Sequence, residues 1–101
     1  MTEELNYITG KLGEAELLCQ LAEEATELAQ AALKLRRAIT QVNPTPKTVE
    51  ECRDDLAEEL ADVSLCLDAL GLDTTDRALM LLMVNTVNRK CRRWAGRLGY
   101  E

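Results

Sequence analysis

The sequence predicts an all-α fold. Three observations carry this: apolar residues recur at steps of three and four, Leu, Ala, Glu and Arg dominate the alphabet, and the one clear break is a Pro-x-Pro segment. Strand-like alternation, internal repeats and low-complexity tracts are absent from the sequence.

The first periodic segment spans 13–40, striped by Leu21, Ala25, Leu28, Ala32 and Leu35. Gly10 and Gly13 blur its start, so residues 3–12 read as a separate short turn or arm. Lys34, Arg36 and Arg37 favour its C-terminal end through the macrodipole. Pro44 and Pro46, within the segment from Gln41 to Lys47, stop the helix and hold the chain extended. Thr48 then reads as an N-cap, with Glu51 completing a capping box. The second helix, 48–70, is striped by Leu56, Leu60, Val63, Leu67 and Leu70, and Gly71 supplies its C-cap. Asp73, Thr74 or Thr75 opens a third helix, 75–97, whose inner face carries Leu79, Leu82, Met83, Thr86 and Trp94.

Leu17, Leu18, Leu33, Leu65, Leu81 and Val84 lie off these stripes and ask for a second partner. The expected architecture is an antiparallel helical hairpin plus a third helix. Its four-helix-bundle-like core would be completed by oligomerisation. At 101 residues, the chain is expected to be one domain spanning 1–101.

Composition narrows the function. With 47% hydrophobic and 30% charged residues the chain is globular, and a net charge of -6 disfavours nucleic acid as a partner. No apolar run approaches membrane-span length, and the acidic start, MTEELNYITG, has no signal-peptide core, so a cytoplasmic location is expected. Cys19, Cys52, Cys66 and Cys91 form no C-x-x-C and read as small buried hydrophobes in a reducing compartment. Without a histidine, a zinc or ferritin-like di-iron site is improbable.

Acidic residues crowd two segments, Glu23-Glu24-Ala25-Thr26-Glu27 and Glu58-Glu59-Leu60-Ala61-Asp62. At about 100° per residue, Glu24 and Glu59 fall roughly 60° from their stripes, and Glu27 and Asp62 roughly 120°, in the same rotational sense. Glu23 and Glu58 land at about 160°, facing solvent. In an antiparallel hairpin, equal offsets put both pairs on one flank. Their levels match as well, each about 20 Å from the turn. Four carboxylates thus meet beside the helix seam. Such a group stays ionised only with a cation, and hard oxygen donors select Mg²⁺ or Mn²⁺.

E-x-x-E at 24/27 followed by E-x-x-D at 59/62, on two helices joined by a loop, resembles the MazG-like all-α NTP pyrophosphatase superfamily. The stretches QLAEEATELAQAALKLRRA, EELADVSLCLDALGLD and NRKCRRWAGRL extend the resemblance over residues 12–97. It implies a dimeric or tetrameric helical bundle that hydrolyses a (d)NTP, with Mg²⁺, between the α and β phosphates. Carried over, Glu24, Glu27, Glu59 and Asp62 would hold the metal, and Glu27 or Glu24 would take a proton from the attacking water. The 31 residues between Glu27 and Glu59 put the connecting segment towards the long side for this family.

Lys90 shares the apolar face of Met83, Thr86 and Trp94, so it either snorkels or meets the triphosphate. Its place late in the chain matches a lysine of related sequences. Arg93, Arg97 and Lys34 are further candidates for the phosphates, whereas Trp94 reads as core or subunit interface. The rival reading is a non-catalytic helical-bundle adaptor or antitoxin-like protein that uses an acidic face to mask a basic partner.

Overall fold

The structure, a computed structural model, describes residues 2–73 and 75–101. Among these there are three helices and no strand: α1 (Glu3–Thr40), α2 (Val49–Leu70) and α3 (Arg77–Arg97). The chain divides into two compact units, Met1–Leu70 and Gly71–Glu101. No helix among the described residues is long and apolar enough to cross a membrane.

In the first unit the Thr2 hydroxyl caps α1, accepting from the Leu5 amide at 3.1 Å. The segment 3–12, read from the sequence as a separate turn or arm, is itself helical and joins the rest of α1 across a kink at Gly13. There φ is 72° and ψ 172°, a conformation that only glycine adopts freely. At the other end Gln41 takes the left-handed cap position and its N–H returns to the Arg37 carbonyl at 2.9 Å. A reciprocal capping box starts α2: the Thr48 N–H donates to Glu51 Oε1 and the Glu51 N–H to Thr48 Oγ1, both at 3.1 Å.

The 41–48 connection folds α2 back against α1 as an antiparallel hairpin. Residues near the turn share one cavity (Ala31 and Lys34 with Cys52 and Asp55), and residues far from it share another (Leu17 and Gln20 with Leu65 and Ala69). The buried stripe agrees with the expected one at Leu21, Leu28 and Leu35 of α1 and at Leu56, Val63, Leu67 and Leu70 of α2, all half-buried, and differs elsewhere. On α1 it follows Leu17, Leu21, Glu24, Leu28, Ala31, Leu35 and Ala38, while Ala25 and Ala32 face outward. On α2 Cys52 and Cys66 are buried and Leu60 is exposed. Small side chains, Ala31, Ala38, Cys52 and Cys66, fill four of the buried positions of the hairpin, with buried Leu17 and half-buried leucines alongside them. Leu17, expected off the stripe, is buried, whereas Leu18, Leu33 and Leu65 are exposed.

In the second unit Asp76, rather than Asp73 or Thr75, caps α3, accepting from the Leu79 amide at 3.0 Å. Asp73 instead accepts from the Thr75 amide and hydroxyl, forming the turn that precedes the helix. The third candidate, Thr74, lies outside the described residues. Leu79 and Thr86 are half-buried, but Leu82, Met83 and Trp94, expected to face inward, are exposed along with Leu81 and Val84. All four cysteines are free. Cys52 and Cys66 are buried, but Cys19 and Cys91 are exposed rather than packed as small hydrophobes.

Candidate metal centre

The shift of the buried stripe decides the electrostatics of the hairpin. Glu24 on α1, and Glu59 and Asp62 on α2, occupy half-buried seam positions that would otherwise carry apolar side chains. Glu27 lies one turn further along α1 and is exposed. Each of these four offers a carboxylate oxygen, and the four oxygens lie within 4.8 Å of one another. Glu23 and Glu58, one residue out of register on each helix, are exposed and stand outside the cluster.

Glu24 is anchored from its own helix. The Gln20 side-chain amide, one turn earlier, donates to Glu24 Oε1 at 2.8 Å. This bond pulls the Glu24 carboxyl down, but burial, the charges of Glu27 and Asp62 and a hydrogen bond with Glu27 outweigh it. The net displacement is upward from the ordinary carboxylate value. Glu24 Oε2 and Glu59 Oε2 are buried with no hydrogen-bond partner among the described residues. Orphaned carboxylate oxygens are costly, and a proton or a cation relieves them.

The donor set fits a hard divalent cation. It is all oxygen, and the chain holds no histidine. Oxygens on opposite sides of a Mg²⁺ are about 4.2 Å apart, close to the 4.8 Å within which these four lie. Cys66 borders the cluster, but burial first, then the charges of Glu24 and Asp62, push its thiol up and keep it protonated.

Two cavities of opposite character flank the cluster. Glu24 and Asp62 line one of about 320 Å³, walled by Leu5, Ile8, Leu12 and Leu65. Glu27 and Glu59 line the other, of about 390 Å³, together with Lys34, Lys47 and Asp55. Lys34 is thus in the same cavity as two of the carboxylates. Lys90, Arg93 and Arg97 belong to α3 in the second unit, where all three are exposed.

Gln20, Lys47 and the arm leucines are site residues that the sequence pattern alone does not single out. A Gln four residues before a Glu on a helix is a readable pairing signal. Lys47 has the weaker signal of following Pro46 at the mouth of a capped helix. The arm leucines become wall residues only through the Gly13 kink, which no periodicity announces. Compared with family models, with characterised proteins and with solved structures, the chain matches none of them.

Proposed function

We propose that this protein is a Mg²⁺-dependent nucleoside triphosphate pyrophosphohydrolase that cleaves (d)NTP to (d)NMP and pyrophosphate. The observation that carries the reading is the carboxylate cluster, four oxygens within 4.8 Å, two carboxylates having a buried oxygen without a partner among the described residues. The MazG-like pattern at 24/27 and 59/62 supplies the reaction class.

In this reading Glu24, Glu27, Glu59 and Asp62 hold Mg²⁺, with Mn²⁺ as a substitute of the same oxygen preference. The bound cation would neutralise charge on the phosphates and acidify the attacking water. Glu24 or Glu27 receives the proton of that water. Burial and like charges make Glu24 more basic than an ordinary carboxylate, and Gln20 fixes one of its oxygens so that the other faces the site. Lys34, which shares a cavity with Glu27 and Glu59, serves the phosphates. A homodimer or homotetramer, formed in the cytoplasm, covers the exposed leucines and completes the bundle.

Pyrophosphate release, measured across common and damaged NTPs and dNTPs with and without Mg²⁺, tests the proposal. Release from at least one triphosphate, lost when the cation is chelated, is the expected result. No release from any of them, with capture of a basic partner that survives loss of the carboxylates, would instead indicate an acidic interaction protein.

A further inference from the structure

The two cavities beside the cluster differ in one decisive respect: lysines line only one of them. Lys34 enters that cavity from α1, and Lys47 from the connection to α2. Lys47 Nζ donates to Asp55 Oδ2 at 2.7 Å, in a pair whose side chains are 49% and 38% exposed. An ion pair so open to water is weakly held. An ammonium also has three donors, of which this bond uses one. Its backbone is steadied on both sides, by Pro46 before it and by the Thr48–Glu51 capping box after it. Lys47 is therefore a charged group in a fixed place, occupied by a partner that it can exchange.

Three carboxylates, Glu27, Asp55 and Glu59, share this cavity with the two lysines. An anion alone would be repelled there. A divalent cation held by Glu24, Glu27, Glu59 and Asp62 would cancel two of their four charges, so that a phosphate group would meet less repulsion together with two ammonium ions. We propose that Lys47 is a phosphate-binding residue that Asp55 holds in reserve. On binding, Lys47 turns from Asp55 to the ligand, so that the anionic tail runs towards the 41–48 connection and the apolar end towards Leu5, Ile8 and Leu12. The inference rests on the hydrolase reading for its cation, but concerns binding rather than turnover.

Titration calorimetry of inorganic pyrophosphate into the full chain with excess Mg²⁺ tests it. The wild type should bind only when Mg²⁺ is present. Lys47→Gln should weaken binding by roughly tenfold or more, because a charge-assisted contact is lost. Asp55→Asn should strengthen it, since the competitor for Lys47 is removed. Arg53→Gln, exposed on α2 and lining neither cavity, should leave it unchanged. A merely structural ion pair would make Lys47→Gln and Asp55→Asn act alike, and that result overturns the inference. So does a wild type that fails to bind Mg²⁺–pyrophosphate, or a Lys47→Gln variant within twofold of it. Lysine-dependent pyrophosphate binding without triphosphate hydrolysis would keep this inference and remove the hydrolase reading. Hydrolysis with pyrophosphate affinity indifferent to Lys47 would do the reverse.

Discussion

Gln20 donates its side-chain amide to Glu24 Oε1 at 2.8 Å, while the second oxygen of the same carboxylate is buried. One helical turn thus treats the two oxygens of a single carboxylate differently: one is tied down and the other has no partner among the described residues. The amide also opposes the neighbours that push this carboxyl upward, and so helps to keep Glu24 ionised.

Gln20→Leu should therefore raise the Glu24 pKa further and loosen its orientation. Apparent Mg²⁺ affinity, read from the shift in melting temperature with added Mg²⁺, should fall by roughly tenfold or more, the usual cost of losing a residue that orients a ligand. An unchanged Mg²⁺ response would mean that the Gln20 bond is only a surface pairing.

The carboxylates make a second, opposed pair of expectations. Glu59→Gln should abolish Mg²⁺-dependent pyrophosphate release. Without metal it should leave the protein as stable as the wild type or more so, because a charge repelled by its neighbours is gone. The same change at exposed Glu58 should do neither. Equal damage from Glu58→Gln would show that the residues of the cluster are wrongly assigned.

Much of this site was legible in the sequence, and the limits have physical causes. A rotation of about 100° per residue fixes which acidic residues share a helix flank, and that rotation alone separates Glu24 and Glu59 from Glu23 and Glu58. Periodicity cannot report how closely two helices approach. Seven of the ten expected stripe residues, Leu21, Leu28, Leu35, Leu56, Val63, Leu67 and Leu70, are half-buried. Ala25, Ala32 and Leu60 are exposed, however, and the most buried seam positions are Leu17, Ala31, Ala38, Cys52 and Cys66. Four of those five positions carry small side chains, and Glu24 and Glu59 sit half-buried on the same helices. The arm was less legible still, because a single positive φ at Gly13 sets its direction.

Lys90 carries a third expectation. It is exposed on α3, so Lys90→Met should keep the fold. If Lys90 meets the triphosphate in the assembled protein, kcat/KM should drop by roughly tenfold or more. An unaltered kcat/KM would return Lys90 to the role of an apolar stem with its ammonium in water.

The arm provides the last expectation, and it is one that activity need not report. Gly13 holds φ at 72° and ψ at 172°, a region that essentially only glycine occupies and where a side chain costs on the order of 1–3 kcal/mol, even though a Cβ would meet nothing within 4 Å. Alanine at this position favours helical angles instead, which would straighten α1 and swing residues 3–12 away from the hairpin. Leu5, Ile8 and Leu12 would leave the cavity that they share with Cys66. In the native protein Cys66 is buried, and that burial is the first cause of its raised thiol pKa. Thiolate is the reactive form, so Cys66 should label slowly near neutral pH and faster as the pH is raised. Gly13→Ala should remove both protections together. Access opens, and the thiol pKa falls back towards its ordinary value, so more thiolate is present at any given pH. Peptide mass spectrometry after brief alkylation should show Cys66 slow in the wild type and fast in Gly13→Ala, with buried Cys52 slow in both. Cys66 labelling that ignores the substitution would mean that the arm does not cover this cavity.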